Sequence, residues 1–137
     1  MVDLTVTAAS VLKGTGASVT AGTAGASITA GQTVYLDSTT NTYKLSDCDS
    51  ATAAARVCNG IALHAAGSGQ PLQVLTGGPI TIGATLTLGK VYCLSATAGG
   101  ICPAADITTG GYLSVLGVPT STTVLQVAIQ ASGVVTP

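Results

Sequence analysis

The stretch GQTVYLDSTTNTYKLSD (Gly31–Asp47) places two runs of β-branched and aromatic residues on either side of a polar turn, and a similar stretch, GKVYCLSATAGGICPAAD (Gly89–Asp106), follows in the second half of the chain. Thr, Val and Tyr pack well on a pleated surface and lose side-chain freedom in a helix, so each stretch reads as an extended hairpin. A second pair of matching phrases comes after them. Gly60-Ile61-Ala62 leads to Leu72-Gln73-Val74, just as Gly117-Val118-Pro119 leads to Leu125-Gln126-Val127. The same order in both places predicts two half-units, about 28–78 and 86–133. Neither half can bury both faces of a small sheet alone, so the expected fold is all-β, a small β-barrel or β-sandwich whose halves pack with pseudo-twofold symmetry.

Outward from these stretches, Gly, Asn, Ser and Pro punctuate further short apolar runs. Strands are predicted at Thr33 to Leu36, Thr42 to Leu45, Gly60 to Leu63, Pro71 to Leu75, Ile80 to Ile82, Thr85 to Leu88, Val91 to Leu94, Leu113 to Leu116 and Val124 to Ile129. Val2, Leu4 and Val6 alternate with Asp3, Thr5 and Thr7, the period of a half-buried strand. TGASVTAG (Thr15–Gly22) returns as AGASITAG (Ala24–Gly31), two similar strand-and-turn units. The one helical candidate is Asp47 to Arg56, an Ala-rich segment that Asp49 or Ser50 could cap. Residues 1–27 thus form an extended N-terminal segment and residues 28–137 the barrel or sandwich.

The 137 residues include only four Lys or Arg and five Asp, with no Glu, where a soluble domain of this length carries roughly 34 charges. A compact monomer of 13.2 kDa exposes roughly 6,400 Å², so each charge serves about 700 Å². Nucleic-acid binding needs clustered cations, and none are present. A hydrophobic content of 47% and a mean hydropathy of +0.61 oppose disorder. The long uncharged runs are interrupted every few residues by Gly, Pro, Gln, Ser or Thr, short of the ~20 apolar residues of a membrane helix. The N-terminus has an acid at Asp3 and no basic region before an apolar one, unlike a secretory signal.

Candidate chemistry is sparse. Cys48, Cys58, Cys93 and Cys102 contain no CxxC pair and only His64 could add a nitrogen, so no metal site is expected. Local disulfides 48–58 and 93–102 are the simplest pairing, and four buried thiols are the alternative. His64 as a catalytic base would need a serine and an acid, yet Gly16-Ala-Ser18 and Gly25-Ala-Ser27 lack the last glycine of a nucleophile elbow. The better reading has His64 capping a strand end. Asp47 and Asp49 read as turn and cap residues. No dinucleotide or phosphate-loop motif occurs. Tyr35, Tyr43, Tyr92 and Tyr112, the only aromatics, read as core packing with hydroxyls at a barrel edge. No catalytic residue and no cofactor are expected.

The phrases ITAGQTVYLDSTTNTYKLSD, GIALHAAGSGQPLQVLTGGPITIG, VYCLSATAGGICPAAD and LGVPTSTTVLQVAIQASG, which span nearly the whole chain from Ile28 onward, resemble capsid cement or decoration proteins of tailed bacteriophages. The resemblance implies a non-enzymatic virion protein, made in the bacterial cytoplasm, that clamps the outer surface of the capsid against internal DNA pressure. Its partner would be the major capsid protein, and a homo-oligomer, a trimer foremost, is the implied state. A neutral surface loses little solvation when buried against other subunits. The N-terminal segment would then be an arm on the shell or on a neighbour, adding strands at an edge, with Val2, Leu4, Val6 and Val11 as apolar anchors. The alternative is a head-fibre or tail-fibre module that recognises host surface glycan on the same β scaffold.

Overall fold

Asp37 ends the first strand of the Gly31 hairpin, and its carboxylate accepts the Thr39 N–H at 2.9 Å. Asn41, at φ 56, completes the reversal, and both residue types favour such turns because a short polar side chain can bond the nearby backbone. In a computed structural model that describes residues 3–48, 50, 52–104 and 111–135, this hairpin is β3 (Thr33–Asp37) and β4 (Thr42–Leu45), preceded by β1 (Leu12–Lys13) and β2 (Ser18–Thr23). The chain continues through β5 (Gly60–Ala62), β6 (Pro71–Thr81), β7 (Tyr92–Leu94), β8 (Ile101–Pro103), β9 (Tyr112–Pro119) and β10 (Val124–Val135). The fold is all-β.

The strand order is β4-β3-β5-β6-β10-β9-β7-β8, so each half runs hairpin, short strand, long strand, and the two long strands meet in the middle. Local hydrogen bonds repeat as well. The Gln32 N–H donates to Thr29 O and the Lys90 N–H to Thr87 O, while Ser46 N–H bonds Thr33 O and Ala104 N–H bonds Val91 O. Gly31 and Gly89 take φ 87 and 89, the left-handed geometry these tight turns demand. One detail departs from the letters of the repeat. Gly60 faces Val34 whereas Gly117 faces Tyr92, so the Val-Tyr dipeptides are displaced by one residue and Tyr92 takes the buried place that Val34 holds in the first half.

All the ladders between strands are antiparallel. β6 carries β2 and β5 along its first part and β1 and β10 along its last. The sheet β4-β3-β5-β6-β2 curls until a parallel bridge joins Ala24 to Tyr43. Inside that curl lie Ala24, Ile28, Val34, Tyr43, Ala62, Ala66, Leu72 and Val74. A larger core, including Ile61, Leu75, Ile80, Leu86, Tyr92, Leu94, Leu116 and Leu125, joins the two halves.

Several sequence expectations change. Pro71 to Leu75 and Ile80 to Ile82 merge into the single strand β6, because Gly78, at φ 99, lets the backbone continue past Pro79. Thr85 to Leu88 forms no ladder. Its Leu86 N–H bonds Thr122 O at 2.7 Å and its Thr87 N–H is taken by the Tyr92 hydroxyl at 2.9 Å. The helix over Asp47 to Arg56 shrinks to one 3-10 turn, Ala53–Arg56, whose N-cap residue Thr52 makes no side-chain cap bond; Asp49 lies outside the described residues. From Asp3 onward, β1, β2 and the described residues before them lie against the rest of the same chain. Leu4 and Val6 pack on the larger core and Val11 belongs to it, with backbone bonds from Leu4 N–H to Ile101 O and Thr7 N–H to Gly83 O, both 2.8 Å. The alternation of residues 4–7 is realised, but in a segment docked on its own domain. Val2 lies outside the described residues.

Candidate binding surfaces

His64 sits between β5 and β6, where its Nδ1–H donates to Ala65 O at 3.0 Å and its Nε2 accepts the Gln73 N–H at 3.1 Å. Both ring nitrogens are therefore used in pinning a strand end, and neither meets a serine or a carboxylate in these bonds. Asp37 instead pairs with Lys44 at 2.7 Å. The hydrogen bond from Lys44, helped by the Thr39 N–H, holds the Asp37 carboxyl below its usual range, and Asp37 in turn raises the Lys44 ammonium. Arg56 stacks over the Tyr112 ring, 4.2 Å from its centroid. These charges are tied to structural partners.

Cys93 and Cys102 face each other across β7 and β8, the hairpin position expected for them, and Cys48 and Cys58 both lie in the larger core. All four are buried thiols, with no cystine formed. The Cys58 S–H donates to Gly60 O at 3.1 Å. Burial, countered only in part by backbone hydrogen bonds, pushes the Cys58 thiol up to about 12, and burial pushes Cys93 up to about 11. The thiolate is the reactive form, so a thiol reagent at pH 7.5 is expected to modify the native protein over hours and all four cysteines within minutes once urea is added. Rapid native labelling would contradict this burial. The sign of the pH effect follows: an unfolded thiol ionises near 9.0 while Cys58 stays protonated to about 12, so stability falls as pH rises between those values. The loss approaches about 1.4 kcal/mol per pH unit for such a thiol.

Among the described residues no cluster of three or more His, Cys, Asp or Glu could hold a metal ion. Two clefts flank the N-terminal segment. One, of about 230 Å³, is lined by Asp3, Thr29, Gln32 and Thr97 with small residues around them; the Asp3 carboxylate accepts the Ser95 hydroxyl there at 2.5 Å. The other, about 350 Å³, is lined by Thr5, Thr7, Ser10, Thr81, Thr85 and Thr123 with Gly83 and Ala84. His64 lines neither cleft. Tyr35, Tyr43 and Tyr92 are buried, and Tyr112 is covered on one face by Arg56.

What the molecule does present is broad and uncharged. β2 is exposed along nearly its whole length, and Leu12, Val19, Leu36, Leu88, Val91 and Val118 are exposed apolar side chains. β2 pairs with β6 through one edge, and the residues Ser18–Thr23 carry neither charge nor proline, the features that usually guard an open strand edge. Exposed apolar side chains and an uncharged strand edge of this kind are suited to protein contact. No family model matches this chain, and no curated protein matches it.

Proposed function

We propose that this chain is a capsid cement, or decoration, protein of a tailed bacteriophage, which binds the outer face of the major capsid lattice and stabilises the filled head against the pressure of its DNA. The observation that carries this reading is the surface. Its 6287 Å² holds nine Lys, Arg and Asp residues in the whole chain, about one per 700 Å², and part of that charge is spent on the Asp37–Lys44 pair. Threonine, serine and alanine hold water weakly compared with ions, so burying such a surface against another subunit costs little desolvation. The resemblance of the phrases from Ile28 onward to such proteins points the same way.

Two measurements on purified particles test it. Quantitative protein composition is expected to give hundreds of copies per virion, and particles lacking the chain are expected to release DNA at a lower temperature than complete ones. Equal release temperatures would overturn the clamp. The glycan-binding fibre reading instead requires tens of copies or fewer; it is disfavoured by the burial of three tyrosines, because sugar recognition commonly uses exposed aromatic faces.

A further inference from the structure

The two halves use the same turn in different surroundings. In the first half the turn Thr29-Ala30-Gly31-Gln32 is covered by the chain's own N-terminal segment. A side chain at Gly31 would meet Val6 and Val11, and Ala30, Thr33 and Ile61 beside it are buried. Asp3 and Gln32 line the same cleft. In the second half the equivalent turn, Thr87-Leu88-Gly89-Lys90, has no such cover among the described residues. Nothing lies within 4 Å of a side chain built at Gly89. Thr33 faces Ile61, and by the register of Tyr92 with Gly117 Val91 stands beside Val118 in the same way, but here the pair is 38% and 47% exposed, with Leu88 at 57%. A cavity of about 260 Å³ lies against Val91, lined by Gly89, Lys90, Val91, Pro103 and Ala104.

We propose that this open turn, Leu88–Val91 with Val118, docks an extended segment of a partner protein chain that carries an acidic residue followed by apolar residues at alternate positions. The occupant's chemistry is read from the molecule itself. In the first half, the place is filled by the segment Asp3–Val11, whose Val6 and Val11 reach the turn, together with Gly99 of the β7–β8 loop, whose carbonyl accepts the Thr33 N–H; the acid of that segment, Asp3, lines the same cleft as Gln32 and accepts the Ser95 hydroxyl. At the second site Lys90 replaces Gln32, and among the described residues it forms no ion pair, the one pair present being Lys44 with Asp37. A cation there favours an acid at the start of the incoming segment. The cavity at Val91, with Val118 beside it on the neighbouring strand and Leu88 in the same turn, supplies the apolar contact area that an extended peptide needs. The inference rests on the internal comparison of the two halves and does not require the partner to be a capsid subunit.

The test uses a synthetic peptide with the sequence Asp3–Leu12, blocked at both ends, titrated into the isotope-labelled full chain. Amide signals of Leu88–Val91, Ala104 and Val118 are expected to shift at submillimolar peptide. The substitutions Val91→Asp and Val118→Asp, and separately Leu88→Asp, should weaken binding at least tenfold, while Leu36→Asp leaves it unchanged. A peptide with Lys in place of its Asp should bind several-fold more weakly, and Lys90→Gln in the protein should abolish that difference. Thermal unfolding of each variant within a few degrees of the parent establishes that it is folded. The proposal is overturned by an absence of shifts at millimolar peptide, or by shifts confined to the Gly31 turn, which report exchange with the chain's own segment. Peptide-free dimerisation through Val91 and Val118 overturns it too, since a second copy would then be the occupant.

Discussion

Gly117→Ala is expected to remove the folded state, or to lower its stability by more than about 4 kcal/mol, the range reserved for a few severe mechanisms. The added methyl would overlap the backbone carbonyl of Gln126 and crowd the Cα of Val127, and these are atoms of β10, paired with β9 at that point. A flexible side chain could turn aside, but a backbone carbonyl in a ladder cannot move without parting the two strands. Gly60→Ala is expected to act in the same direction, because its methyl would run into Leu75 O and the Val74 side chain. Gly89→Ala is the control. It has open space and φ 89, so it carries only the cost of a left-handed non-glycine residue, about 1–2 kcal/mol. Urea unfolding of the three variants checks the order. A Gly117→Ala protein within about 1 kcal/mol of the parent would mean that β9 and β10 do not approach so closely.

Deleting residues 1–11 is expected to lower stability by about 3–6 kcal/mol, from full burial of one valine and partial burial of a leucine and another valine at ~1.5–3 kcal/mol for each fully buried side chain. Val11, Val6 and Leu4 are the side chains concerned, and the bonds to Ile101 O and Gly83 O go with them. For a domain of this size that is a fall of roughly 10–25 °C in melting temperature. Calorimetry of the truncated chain decides the matter: an unchanged melting temperature would show that the segment is an independent arm after all. Within the cement proposal, the expected large fall implies that shell contacts come from the exposed faces and edges rather than from Leu4, Val6 and Val11.

The hairpins were legible because their signals are local: β-branched residues, a polar turn and a repeated order of phrases. The mirrored strand order followed from that repeat. Less local features were not. The inward position of Tyr92 depends on a one-residue displacement between the halves, and the dipeptides Val34-Tyr35 and Val91-Tyr92 gave the opposite alignment. Gly77-Gly78-Pro79 carries every sign of a break in the sequence; Gly78 in its left-handed conformation, with β1 and β10 on either side of the later part, makes β6 continuous there. The N-terminal segment looked detachable because Gly, Ala, Ser and Thr dominate it, yet a few apolar residues at the right spacing are enough to seat it. The use of His64 as a strand-end pin was legible, whereas the open second turn was not, since Leu88, Val91 and Val118 differ from their buried counterparts by what lies over them rather than by residue type.

β6 also bears on the order in which the molecule can assemble. Beside the nearby β5, it takes partners from Leu12–Thr23 on one side in sequence and from Val124–Val127 on the other, so its seam closes only when nearly the whole polypeptide has left the ribosome. Pairings so distant along the chain are slow to find, because loop-closure entropy precedes any gain from contact. Until then a long strand waits with an open flank, a hazard in a partly folded chain. Nascent chains of this design therefore depend on rapid completion more than on early local structure.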